Sequence, residues 1–492
     1  AVNELTTSDE SEVVAVNLVN VDPQLSMISA TENKLVADGK DRATISVTVI
    51  DEENEPVPNF EVELFVNQGK LGTEDVTLLT DSEGIANFEV FNDQPEIVTY
   101  KALAGDVVIN GEVKISFVPI PPVALAANLV QTREFQANWE LVGMADNYQI
   151  DVATDGEFIN ILPQYQALNT GNVTSWVVSG MNPGQTYHYR VRAVSGELVG
   201  VNSQTISTKT FPEIPVATNA SNVNSVRFRA NWNTTDGAEA YRLDVAKDSE
   251  FNQFVEGYKD LNVGDQLSVL VENLRPGQSY FYRLRAIAGP RESENSNGIQ
   301  VTTEALSPDL SEIQAEQLKV LANGDQTNTI IVTVRGESGE LQQGVSVELV
   351  PENGSSQIDA PKKVTNEDGN AIFTVTNTVA EVVTYGVRAA GQNIGSFKVE
   401  FLKDEGVLVL GKNFPNPFRV ESSIPITIPS QMDVELIVYN SLGITVRTLL
   451  DETVERGYYE IPFNSSELAA GVYFYRLRAD GLSKVGKMLL VK

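Results

Sequence analysis

Shifted by 93 residues, the middle of this chain lies on itself: Trp139 falls on Trp232, Tyr148 on Tyr241, Asp151 on Asp244, Phe158 on Phe251, Tyr187 on Tyr280 and Arg190 on Arg283. Flanking blocks repeat at 285 residues, with Ala37-Asp38-Gly39 on Ala322-Asn323-Gly324, Val62-Glu63-Leu64 on Val347-Glu348-Leu349 and Val98-Thr99-Tyr100 on Val383-Thr384-Tyr385. Duplication of this kind describes a string of separately packed modules, not one large core. Within the blocks apolar and polar residues alternate, as in Val47-Thr48-Val49, and no convincing amphipathic helix exceeds two turns. Half-buried strands paired into two-layered sandwiches are therefore expected, an all-β chain.

Each copy of the central block holds an Asn-Trp pair, a tyrosine nine residues after the tryptophan, and a P-G-Q-(T/S)-Y-x-Y-R-x-R-A run beginning at Pro183 or Pro276. The pattern resembles the fibronectin type III domain. The resemblance implies a core tryptophan and a tyrosine corner formed by Tyr187 and Tyr280. In the outer pair, the order A-(D/N)-G, alternating strand, V-x-V-x-L, T-(D/N)-x-x-G-x-A resembles the bacterial Ig-like repeats of invasin and intimin stalks.

The last stretch reads Phe414-Pro415-Asn416-Pro417-Phe418, then Val438-Tyr439-Asn440 with Gly443, then Gly471-Val472-Tyr473-Phe474-Tyr475, and closes with Lys487-Met488. Ile424, Ile426 and Ile428, then Val434, Leu436 and Val438, then Tyr473, Tyr475 and Leu477 alternate as strands, and Asp480-Gly481 suits a tight hairpin. In this order the motifs resemble the type A C-terminal sorting domain of cargo carried by the type IX secretion system. That resemblance implies a secreted protein of the outer cell surface or extracellular space, handled by the type IX machinery through Phe414, Pro415, Asn416, Pro417, Phe418, Gly443, Gly471, Tyr473, Tyr475 and Lys487.

The expected order of modules is an acidic segment (1–20), a bacterial Ig-like domain (21–119), two fibronectin type III domains (120–212 and 213–305), a second Ig-like domain (306–405) and the Ig-like sorting domain (406–492). Five such units in an extended array would reach on the order of 170 Å.

With 67 acidic against 35 basic residues, the chain is a poor ligand for nucleic acid, whose phosphates demand Lys and Arg. No apolar run of 18 residues is present, so no membrane-spanning helix is expected. Absence of cysteine removes disulfides, thiolate metal sites and cysteine nucleophiles. The single histidine, His188, aligns with Phe281, as a strand residue would, and not as a general base. No catalytic, cofactor-binding or metal-ligating set is expected. Asp51-Glu52-Glu53 and Asp81-Ser82-Glu83 stand as candidate calcium loops, but no EF-hand pattern accompanies them.

Val13, Val14, Val16, Leu18, Val19 and Val21 follow Glu4, Asp9, Glu10 and Glu12. Three readings compete for this apolar run: the leading strand of the first Ig-like unit, the stub of an upstream domain, or a donor strand that completes a neighbouring molecule. The combined expectation is a non-enzymatic modular stalk, adhesin or filament subunit that partners itself end to end or binds surface glycans or proteins. The alternative is the accessory region of a secreted hydrolase.

Overall fold

The computed structural model describes residues 20–491, which form strands throughout, apart from a single 3-10 turn at Pro163–Tyr165. They divide into two compact units, one ending at 215 but also taking 234–241 and 285–294, the other made of 216–233, 242–284 and everything from 295 on.

In the first unit the leading sandwich packs a three-stranded sheet (Met27–Ala30, Ala43–Thr48, Ile85–Val90) against a six-stranded one built around Glu61–Gln68, Glu96–Ala104 and Val113–Val118. Alternation decides which faces meet: Ile45 and Val47 from one sheet and Val62, Leu64, Val98 and Tyr100 from the other are fully buried. Lys34–Val36 runs parallel to Ser116–Val118, tying the start of the sandwich to its end. The sandwich that follows stacks Ala124–Asn128, Glu134–Trp139 and Ser175–Ser179 against a five-stranded sheet centred on Asn147–Ala153 and Thr186–Ser195. Its core is aromatic: Trp139, Tyr148, Tyr187 and Tyr189 are buried, and Trp176 is half-buried against them. The tyrosine corner is formed by the Tyr187 hydroxyl, which accepts the Asn182 N–H at 2.8 Å. His188 is half-buried and its Nδ1 lies 2.8 Å from Ser207 Oγ.

The second copy places its strands at the 93-residue offset, for example Ala217–Ser221, Ala240–Ala246 and Ser279–Ala288. Asn231 repeats the role of Asn138. Each amide bridges a bulge between the first two strands, Asn138 Nδ2 reaching Ala126 O at 3.1 Å and Asn231 Nδ2 reaching Asn219 O at 2.9 Å.

In the second unit Glu312–Ala315, Asn328–Thr333 and Asn370–Thr376 pack against a five-stranded sheet that includes Ser346–Pro351, Val382–Ala389 and Gln392–Leu402. Lys319–Leu321 is parallel to Glu400–Leu402, as in the earlier Ig-like sandwich. The last sandwich joins Val409–Leu410, Glu421–Ile428 and Gly457–Asn464 to a four-stranded sheet ordered Thr445–Val454, Met432–Asn440, Gly471–Ala479, Leu482–Leu490. The nine alternating residues named from its sequence, Ile424 to Leu477, all face its core.

Candidate functional site

The Phe414–Phe418 segment enters the last sandwich through two cis peptide bonds, Phe414-Pro415 and Asn416-Pro417. Phe414 N–H and C=O exchange bonds with Ser423 at 2.9 Å each, which holds the backbone while the ring stays 80% exposed. Phe418 turns inward, packing edge-on against Phe463 at 5.9 Å. Between them Asn416 clamps the final strand: its Oδ1 accepts Leu489 N–H at 2.9 Å and its Nδ2 donates to Lys487 O at 3.2 Å. Phe418 extends the clamp by donating to Leu489 O and accepting from Val491 N.

Tyr475 closes this corner from the opposite sheet. Its hydroxyl accepts Asn413 N–H at 3.1 Å and donates to Gly411 O at 2.9 Å. Burial pushes the phenol above its ordinary pKa, although the Asn413 N–H pulls the other way. Gly486 allows the ring to lie there, since a Cβ at that position would stand 2.0 Å from Tyr475 Cζ. Tyr473 donates to Ala469 O at 2.8 Å, and Gly443 occupies a turn with φ 79°. Gly471 begins its strand opposite Leu490, and Lys487 lies exposed opposite Phe474. Sequence reasoning missed Asn413 and Ser422, buried and bonded to each other at 2.8 Å, with Ser422 Oγ also donating to Pro415 O at 2.8 Å. Asn413 abuts the aromatic-proline run, and that adjacency was the available signal.

On the solvent face of the same sheet, cross-strand rows set Tyr439 beside Phe474 and Lys487, and Ile437 beside Arg476 and Val485. The Arg476 guanidinium lies 4.8 Å from the centre of the Tyr439 ring. The two outer strands differ. Leu482–Leu490 pairs with its neighbour at nine consecutive positions without a break, whereas the pairing of Thr445–Val454 shifts register twice.

Neighbouring sandwiches are joined by specific contacts, each lying within one unit. In the first unit Gly184 and Gly237 meet so closely that a Cβ on Gly184 would fall 2.1 Å from Gly237 O. Beside them Lys209 pairs with Glu239, Glu213 N–H reaches Asp236 O at 3.0 Å, and Arg291 Nε reaches Lys209 O at 3.0 Å. In the second unit Gln342 Oε1 accepts both Ser225 N–H at 2.9 Å and Ser225 Oγ–H at 2.6 Å, while its Nε2 donates to Glu304 at 2.7 Å. Ser225 and Gln342 are fully buried. Farther along, Gln326 Oε1 accepts Tyr458 N–H at 3.1 Å and Arg456 pairs with Asp404. Burial raises the Asp404 pKa, but the Gly406 N–H and the Arg456 guanidinium outweigh it and hold the carboxyl below its usual range.

Val21 is buried in the leading Ig-like sandwich and bridges to Asp51, while Val13, Val14, Val16, Leu18 and Val19 lie outside the described residues. The aspartate that opens each candidate calcium loop caps its own turn through one carboxylate oxygen. Asp51 accepts Glu53 and Glu55 N–H at 3.0 and 2.9 Å, and Asp81 accepts Glu83 and Ile85 N–H at 2.8 and 3.0 Å. Among the described residues no group of three or more His, Cys, Asp or Glu side chains is placed to hold a metal ion. No helix among them is long and apolar enough to cross a membrane.

Comparison with known proteins matches family models to four stretches of the chain. The bacterial Ig-like domain (group 1) matches residues 25–118 and 310–402, the fibronectin type III domain matches 121–209, and the secretion system C-terminal sorting domain matches 412–492. Among curated proteins, the human phosphatidylinositol phosphatase PTPRQ is 27% identical over 196 residues, 39% of this chain and 8% of its own length. The chicken receptor-type tyrosine-protein phosphatase eta is 26% identical over 159 residues, 31% of this chain and 10% of its own. The chain thus spans a tenth or less of these relatives, and their phosphatase activity is not carried over by so small a share. Among solved structures, chicken CNTN1 FN1–FN3 matches 56% of this chain and 97% of its own at 15% identity, with a TM-score of 0.22. A C-terminal intimin fragment solved with the Tir intimin-binding domain matches 42% of this chain and 69% of its own at 19% identity, with a TM-score of 0.25. The matched domains are of non-catalytic kinds, and with its C-terminal sorting domain the chain is a modular Ig-like and fibronectin type III cargo of type IX secretion, exported to the cell surface or extracellular space.

Proposed function

We propose that the protein is a non-enzymatic structural element of the cell surface, a stalk that presents or links its modules by assembling with further copies. The buried Ser225–Gln342–Glu304 junction supports this reading best, because it spends a glutamine side chain on fixing one sandwich to the next. A flexible linker would need no such network, whereas a load-bearing surface element gains from a defined angle at each joint. The motif residues Phe414 to Phe418, Gly443, Gly471, Tyr473, Tyr475 and Lys487 serve in this reading as the export address, acting through the fold that they lock.

Gln342→Ala tests the proposal. Both adjoining sandwiches are expected to stay folded while their relative motion, read by NMR relaxation, increases and surface assembly falls. A loosened joint with unchanged assembly and surface attachment would overturn the stalk reading.

A further inference from the structure

We propose that the open edge of Leu482–Leu490 in the sorting domain receives the acidic, apolar N-terminal segment of a second copy as an added strand; the inference rests on the assembly reading above. Leu489, Lys487 O and Val491 N turn toward Asn416 and Phe418 and away from the neighbouring strand. By the two-residue period of a strand, the N–H and C=O of Ser483 and Val485 and the N–H of Lys487 point the same way. Among the described residues nothing pairs with these groups. The edge is thus closed at one end by the clamp and open from Ser483 to Lys487.

Edge strands are ordinarily blunted by bulges, prolines or charge. Thr445–Val454, at the opposite side of the sheet, has two register shifts and carries Asp451 and Glu452. Leu482–Leu490 has no register shift, and Val485 and Leu482 are 64% and 55% exposed beside it. Its charges are Lys484 and Lys487, with Arg476 and Arg478 on the next strand. Such an edge repels basic strands and selects an acidic one.

The chain contains a segment with the complementary chemistry. Its first 33 residues have no lysine or arginine, and Glu4, Asp9, Glu10 and Glu12 lead directly into the run from Val13 to Val19. Backbone pairing would supply affinity, the valines would cover Val485 and Leu482, and the carboxylates would meet the lysines. Negative charge is in excess in this part of the sequence: residues 21–119 carry 19 acidic and 6 basic side chains, whereas 406–492 carry 9 of each. Head-to-tail contact between copies is therefore favoured over head-to-head contact.

The test uses the full chain and light scattering over a concentration series. Wild type is expected to form oligomers that weaken with added salt. Deletion of residues 1–19 removes the donor. Val485→Pro removes one outward N–H and leaves the ladder to Gly471–Ala479 intact, so it removes the receiver. Each variant alone should be monomeric, weakened by about tenfold or more, and an equimolar mixture of the two should give a one-to-one dimer that grows no further. Lys484→Glu with Lys487→Glu should lose assembly without any backbone change. If both edge variants assemble like wild type while the deletion does not, the receiving edge lies elsewhere: this inference fails and assembly itself stands. A wild-type chain that is monomeric at every concentration overturns both the inference and the assembly on which it rests.

Discussion

Asp151 Oδ2 lies 2.9 Å from Arg190 Nε, joining two residues 39 apart on adjacent strands in a pocket where the carboxylate side chain is only 3% exposed. The other oxygen accepts Ala167 N–H at 2.8 Å and Arg192 at 3.1 Å, and the Arg190 guanidinium caps the Phe158 ring at 4.1 Å. Phe158 has φ 60°, unusual for a bulky residue, so the cap also holds a local backbone turn. The second copy repeats the device with Asp244, Arg283 and Phe251, at 3.1 Å and 4.1 Å. Removing one partner strands a buried charge. Asp151→Ala is expected to lower the stability of that sandwich by about 3 kcal/mol, read as a shifted midpoint in denaturant unfolding.

Glu239 gives a pH dependence. The Lys209 ammonium, then the Gly289 N–H, hold its carboxyl below the ordinary value of 4.5. A lowered folded value means that the pairing contributes fully above the unfolded value and is lost as pH falls through the folded one. Glu239→Gln should therefore melt earlier than wild type at neutral pH, and the two should converge on acidification below 4.5. A difference that persists unchanged into strong acid would contradict the assignment.

Tyr475 predicts coupling between the core and the proposed export motif. Tyr475→Phe leaves Asn413 N–H and Gly411 O without their partner and should cost about 2 kcal/mol. Gly486→Ala should be worse, because its Cβ would meet the Tyr475 ring, which is buried and held by its two hydrogen bonds. Thermal unfolding of the purified chain and the fraction displayed on the cell surface should fall together, with Gly486→Ala below Tyr475→Phe.

Much of the fold was legible because alternation is a local property. Ile424, Ile426 and Ile428 are buried because a strand with one wet face leaves them no other side. Trp139 and Trp232 are core positions by the fibronectin type III resemblance of the repeated blocks, and both are buried. Asp151 and Arg190 were visible as repeated positions, but their pairing was not, since nothing in a linear spacing of 39 says which strands become neighbours. The joints were hidden more deeply. Ser225 and Gln342 are 117 residues apart and belong to different kinds of module, so no internal repeat marks them. Likewise the aromatic-proline run was recognised as a motif, but its work as a clamp on Leu489 depends on Asn416, whose side chain reaches across 73 residues.

The parallel pairing of Lys34–Val36 with Ser116–Val118, and of Lys319–Leu321 with Glu400–Leu402, decides how these Ig-like sandwiches respond to tension. In each, the strand near the module's entry lies alongside the strand at its exit and points in the same direction. A pull on the two ends drags these strands lengthwise past each other, so their bonds are loaded in shear together, not peeled apart singly as in a hairpin. Phe418 and Leu490 repeat the arrangement at the chain's last sandwich. Sandwiches paired this way are expected to resist an end-to-end pull by rupture strength rather than by equilibrium stability alone.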